Sequence, residues 1–177
     1  LHFEAVAKAS PLPVILYNVP GRTGANLDAA TTLRLANDFP GKIIGVKEAS
    51  GRMGQIREIL EKMPDGFSVF SGDDALTLPL MAMGACGVIS VIGNALPREF
   101  GELVHLCSQN RYDEAAACYR LIYPFYRALF ADGNPSGIKA LLALMNKAQD
   151  VVRLPLTPVT QPTRDTLAAA LAAISRG

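Results

Sequence analysis

Three side chains in this sequence are of the types that amine chemistry needs: Lys47, Tyr17 and Arg22. Lys47 closes the run Ile43-Ile44-Gly45-Val46-Lys47 and is followed by Glu48-Ala49-Ser50-Gly51. Valine and isoleucine favour strands, so the run predicts a short buried strand with the lysine at its carboxyl end. Buried strands seldom carry a lysine unless it is paired or used. Desolvation disfavours the ammonium, and the neutral amine is a nucleophile towards a carbonyl. The plainer reading is a lysine that snorkels to water or pairs with Glu48. Tyr17 stands near the end of the strand-like run Val14-Ile15-Leu16-Tyr17-Asn18-Val19. A phenol there can pass protons when bonded to another hydroxyl, or simply pack its ring. Arg22, in Pro20-Gly21-Arg22-Thr23-Gly24, can fork onto a carboxylate or lie in solvent as an ordinary loop arginine.

Other clusters carry less. Ser71-Gly72-Asp73-Asp74 offers two adjacent carboxylates without a third ligand, so a strand-to-helix turn capped by an aspartate fits better than a metal site. Gly87-Val88-Ile89-Ser90 is read chiefly as core, with a possible role only for its backbone beside Gly87. His2 and His105 are too few and too far apart to suggest zinc. No glycine pattern matches a phosphate loop or a dinucleotide fingerprint.

The elements that must position these residues follow a rhythm of strand, loop and helix. Strands are expected at 14–19, 43–47, 67–70 and 87–92. Helices are expected over 28–37, 53–63 and 75–83, with Gly84 ending the last. Pro20 to Gly24 is read as a loop. Successive βα units imply a parallel sheet with right-handed crossovers. Every polar cluster then falls after a strand and before a helix, on the edge where α/β proteins build sites. Beyond residue 97 the pattern is helical, over 98–109, 113–130, 136–148 and 164–174. A proline-studded stretch at 154–162 precedes the last of these. Residues 1–97 are therefore assigned to the βα units and 98–177 to the helical remainder, which the resemblance given below reads as the last barrel helix and a helical extension.

Composition sets the outer bounds. The chain has 177 residues, a net charge of +1 and 19% charged residues. That is globular, and nothing suggests a nucleic-acid surface or a polybasic membrane patch. Three cysteines, with no C-x-x-C, fit a reducing cytoplasmic setting better than a disulfide framework. No apolar run approaches the ~18 residues of a membrane span, and no signal peptide is evident. Leu1 to Ala9 looks like the tail of an amphipathic helix.

Taken together, Tyr17-Asn18-Val19-Pro20-x-Arg22-Thr23-Gly24, Gly45-Val46-Lys47-Glu48-Ala49-Ser50-Gly51, Ser71-Gly72-Asp73-Asp74 and Gly87-Val88-Ile89-Ser90-Val91 resemble the dihydrodipicolinate synthase family. The match runs in order through Asn134-Pro135 to Leu154-Pro155-Leu156-Thr157-Pro158. The resemblance implies a (β/α)8 barrel with a carboxy-terminal helical extension, and a lyase that condenses pyruvate with aspartate 4-semialdehyde in lysine and diaminopimelate biosynthesis. It implies that Lys47 forms an imine with pyruvate without any metal or other cofactor. Tyr17 would belong to the proton relay, Arg22 would hold the semialdehyde carboxylate, and the Ile89 backbone would contact pyruvate. A homo-oligomer, a homotetramer, is expected. Related pyruvate lyases such as N-acetylneuraminate lyase share the lysine and the tyrosine, and the arginine of the Pro-x-Arg-Thr-Gly loop favours the synthase.

A family barrel needs eight strands in about 250 residues. This chain supplies four, matching strands five to eight. The family's Gly-Thr-Thr-Gly-Glu segment, which grips the pyruvate carboxylate, has no counterpart here. Neither do the threonine and second tyrosine of the relay, nor the residues of the lysine feedback site. The expected partner is therefore the missing amino-terminal half-barrel, and the chain alone is expected to be weakly active or inactive. The competing reading is a non-catalytic half-barrel module.

Overall fold

Aliphatic runs separated by glycine- and proline-bearing turns set the strand order. In the computed structural model, which describes residues 1–174, β1 (Val14–Asn18), β2 (Ile43–Glu48), β3 (Ser68–Ser71) and β4 (Gly87–Val88) form one parallel sheet. Their spatial order is β1-β2-β3-β4, as successive βα units require. One row of register runs Tyr17, Lys47, Phe70, Gly87, and the next runs Asn18, Glu48, Ser71, Val88. The chain is thus α/β. Contacts gather it into two compact units, Leu1–Ile89 and the segment from Ser90 onward.

In the first unit, α1 (His2–Ala9) precedes the sheet, and α3 (Ala29–Asp38), α4 (Met53–Lys62) and α5 (Thr77–Ala82) connect its strands. Leu16, Val46 and Val69, one from each of β1 to β3, are buried in a cluster with Leu35, Ile56, Ile59 and Leu80. Burying each such side chain contributes about 1.5–3 kcal/mol. Ile56 and Ile59 fall on the stripe the sequence predicts for α4, with Leu60 and Met63 partly buried beside them. Asp28 caps α3, its carboxylate accepting the Thr31 N–H at 2.7 Å.

The second unit holds α6 (Pro97–Ser108), α7 (Tyr112–Ala128), α8 (Ser136–Leu144) and α9 (Gln161–Ile174). α7 packs against α6 and α9, and α8 packs against α9.

Five expectations change. The Pro20–Gly24 loop contains a helical turn, α2 (Pro20–Thr23), because Pro20 presets the first φ and Gly24 closes the turn at φ +69°. The 75–83 helix divides into a 3-10 turn, Asp74–Leu76, and α5; Asp73 caps the turn by accepting the Ala75 N–H at 2.9 Å. β4 stops at Val88 rather than residue 92, and the Ser90 hydroxyl accepts the Gly93 N–H at 2.8 Å in the 3-10 turn that follows. α8 ends at Leu144 rather than Ala148, since Asn146 takes a left-handed φ of +55° that asparagine tolerates. α9 begins at Gln161 rather than Arg164, and proline in a first helical turn sacrifices no needed donor.

Candidate active site

Parallel strands leave their carboxyl ends on one edge, and successive side chains alternate between faces. Tyr17 and Lys47 are register partners, the penultimate residues of β1 and β2, so they share a face at that edge. Lys47 Nζ lies 4.2 Å from the centroid of the Tyr17 ring, a cation–π contact that fixes the ammonium over the phenol. Tyr17 is 50% exposed and Lys47 half-buried, so the amine is open to a small carbonyl compound. Gly45, two residues earlier, lets β2 lie close to β3: a Cβ there would sit 2.6 Å from the Ser68 carbonyl oxygen.

Arg22 lies on α2, exposed, with its backbone N–H bonded to the Val19 carbonyl at 2.9 Å. Ile89 follows β4 and is 41% exposed rather than core. Its N–H is taken by the Ser71 carbonyl at 2.9 Å, so its carbonyl is the backbone group left to meet a ligand. The structure therefore brings Tyr17 and Lys47 into contact, and sets Arg22 and Ile89 in the segments that follow β1 and β4.

Lys47 does not pair with Glu48. Glu48 points to the opposite face and is 1% exposed. Its Oε1 accepts the Ser50 N–H at 2.7 Å, and Asn18 Nδ2 donates to Oε1 at 3.2 Å and to Oε2 at 3.0 Å. Gln55 Nε2 donates to Oε2 at 3.1 Å. Asn26 closes the ring: its Oδ1 accepts from Asn18 at 3.1 Å, and its Nδ2 donates to Gln55 Oε1 at 2.9 Å. Sequence reasoning names Glu48 only as a possible partner of Lys47 and gives no role to Asn18, Asn26 or Gln55. Strand alternation was the available signal, because neighbours in a strand cannot both face the site.

Among the described residues no group of three His, Cys, Asp or Glu can hold a metal ion, and no helix is long and apolar enough to cross a membrane. Burial pushes the Cys86, Cys107 and Cys118 thiols above the ordinary cysteine value.

A parallel βα sheet with a lysine and a tyrosine paired at its carboxyl edge marks the class as an α/β protein with a strand-end site suited to amine chemistry. The dihydrodipicolinate synthetase family profile matches residues 1–174, and the chain belongs to that family. It is 48% identical over 170 residues to the 4-hydroxy-tetrahydrodipicolinate synthase of Phocaeicola vulgatus, covering 96% of this chain and 57% of the relative. It is 50% identical over 157 residues to the same-named protein of Parabacteroides distasonis, covering 89% of this chain and 52% of the relative. Dihydrodipicolinate synthase of Thermotoga maritima superposes with a TM-score of 0.95 at 33% identity, over 98% of this chain and 60% of that one. The chain therefore spans a little over half the length of the relatives it matches.

Proposed function

We propose that the chain carries the strand-end half of a lyase site, condensing pyruvate with aspartate 4-semialdehyde through an imine on Lys47. This is the 4-hydroxy-tetrahydrodipicolinate synthase reaction of lysine and diaminopimelate biosynthesis. The carrying observation is Lys47 Nζ at 4.2 Å from the Tyr17 ring, in register at the sheet's carboxyl edge. The names of relatives sharing 48–50% identity support it.

In this reading the Lys47 amine attacks the ketone carbon of pyruvate, and water leaves to give an iminium. The iminium draws electrons from the methyl carbon, which loses a proton to form an enamine. The enamine carbon attacks the semialdehyde carbonyl, and the new oxyanion takes up a proton. The amino group of the condensed semialdehyde then attacks the iminium carbon and loses a proton, closing a ring as the bond to Lys47 breaks and the free amine is restored. Tyr17 serves these proton transfers, Arg22 holds the semialdehyde carboxylate, and the Ile89 carbonyl faces pyruvate. The covalent iminium is itself the electron sink, so the reading asks for no cofactor.

The sheet is read as strands five to eight of a (β/α)8 barrel. The remaining pyruvate-gripping and relay residues would come from the part of the family's length that this chain does not span. A cytoplasmic homo-oligomer, a homotetramer, goes with the reading. The Arg22 loop favours the synthase over N-acetylneuraminate lyase.

Borohydride reduction of the full-length gene product with pyruvate, followed by peptide mass spectrometry, is expected to place the adduct on the Lys47 peptide. Lys47→Ala is expected to abolish it. A folded, active sample with Lys47 unlabelled sinks the reading.

A further inference from the structure

Glu48 is a deeply buried charge in the first unit. It is a carboxylate 1% exposed, and none of the ion pairs among the described residues includes it. Burying an ionised carboxylate is expensive unless hydrogen bonds replace its water. Here both oxygens are met by neutral N–H groups from Asn18, Ser50 and Gln55. A carboxylate is the side chain that accepts on every face and donates on none, which suits a site ringed by donors.

What those donors tie together is specific. Asn18 and Glu48 are register partners, one step beyond the Tyr17–Lys47 pair and on the other face. Their bond clamps the two strand ends from behind, at the position that sets the Lys47–Tyr17 contact. Asn18 Oδ1 also accepts the Leu27 N–H at 2.9 Å, and Asn18 Nδ2 donates to Asn26. Gln55, from α4, donates to the Leu27 carbonyl at 3.1 Å. The segment carrying Arg22 is therefore held at both ends, where it leaves β1 and where it reaches residues 26–27. Ser50 ties in the turn after β2.

We infer that Glu48 is a positioning residue, whose carboxylate, through Asn18, Asn26 and Gln55, sets where the Arg22 segment stands relative to Lys47 and Tyr17. It touches no substrate. Its effect falls on capture of the carboxylate-bearing aldehyde by Arg22 more than on imine formation at Lys47. The inference rests on the proposed lyase reading.

Glu48→Gln keeps the shape but turns one acceptor into a donor facing donors. In the full-length gene product it is expected to raise KM for aspartate 4-semialdehyde by about tenfold or more, since ~1 Å of misplacement costs up to about 100-fold. Borohydride-trapped pyruvate on Lys47 should stay within about twofold of the parent, well inside the ~1.4 kcal/mol that a tenfold change represents. Hydrogen exchange should speed up across residues 19–27 and not across α3. The double variant Asn18→Asp with Glu48→Gln restores a donor–acceptor match across that one pair, while the contacts to Asn26 and to Ser50 or Gln55 stay mismatched, and should recover part of the KM. A generally loosened fold would lower kcat and trapping together and would not respond to this exchange. Gln55→Met, which removes a single donor, should give a smaller KM rise in the same direction and serves if Glu48→Gln does not fold. Parental KM and parental exchange in Glu48→Gln, or no KM change in Gln55→Met, overturns the inference while leaving the lysine chemistry standing. Failure of the parent to trap pyruvate overturns the lyase reading instead.

Discussion

At the scale of single residues, Lys47 and Tyr17 are set by one fact, their shared register in β1 and β2. The phenol ring lies under the ammonium, and half its surface is open. If Tyr17 moves protons in the proposed reaction, Tyr17→Phe keeps the ring and removes the hydroxyl. The expected result is a kcat lower by about 100-fold or more, the usual worth of general acid–base catalysis, with the Lys47–pyruvate adduct still trappable. Unchanged steady-state kinetics in Tyr17→Phe exclude the relay role. Both residues were legible in the sequence because a lysine and a tyrosine interrupt otherwise aliphatic runs. Glu48 was not, because its partners lie at positions 18, 50 and 55, and only folding brings Asn18 of β1 and Gln55 of α4 to one carboxylate. Ile89, in a run read chiefly as core with its backbone offered to the site, is 41% exposed in this chain for a related reason. Aliphatic character says that a residue can be buried, and does not say which face is covered.

At the scale of elements, two helical glycines show how packing overrides propensity. A Cβ on Gly137 of α8 would lie 2.0 Å from the Leu129 carbonyl oxygen, a backbone atom that cannot swing away. A Cβ on Gly101 of α6 would meet nothing within 4 Å. Glycine to alanine in a helix interior gains up to about 1 kcal/mol from propensity alone. Gly101→Ala is therefore expected to raise the thermal midpoint slightly. Gly137→Ala should lower it by several degrees, as overpacking costs typically about 1–3 kcal/mol. Thermal denaturation followed by far-UV circular dichroism separates the two, and a rise in both would show that α8 can move off Leu129. The elements themselves were largely legible. β1, β2 and β3 follow aliphatic and aromatic runs, and α7 continues through Pro124 as its apolar spacing suggests. Boundaries were lost where a local bond decides them, such as the Ser90 hydroxyl after β4 and the left-handed Asn146 after α8.

At the scale of the whole molecule, the two faces of the sheet differ in burial among the described residues of the first unit. Leu16, Val46 and Val69 are buried on the helix side, while Ile15 is 42% exposed and Tyr17 50% exposed on the other. Among the described residues β1 pairs only with β2 and β4 only with β3, so two strand edges stand open. Open edges and an uncovered apolar face favour association with another chain. The relatives carry further length that this chain does not span, since it covers 57% of the Phocaeicola vulgatus protein. In the proposed half-barrel arrangement that further length would cover Ile15, Tyr17 and Ile89, and complete the site around Lys47. The 177-residue polypeptide expressed by itself is accordingly expected to self-associate with rising concentration in sedimentation velocity. Its turnover of aspartate 4-semialdehyde should be at least about 100-fold below that of the full-length relatives, the scale of loss when substrate positioning fails. Ile15→Lys, placing a charge on the uncovered face, should weaken the self-association without unfolding the helix-covered side. A monodisperse monomer with turnover matching the relatives would mean that Lys47, Tyr17 and Arg22 suffice, and that the exposed face belongs to the working enzyme.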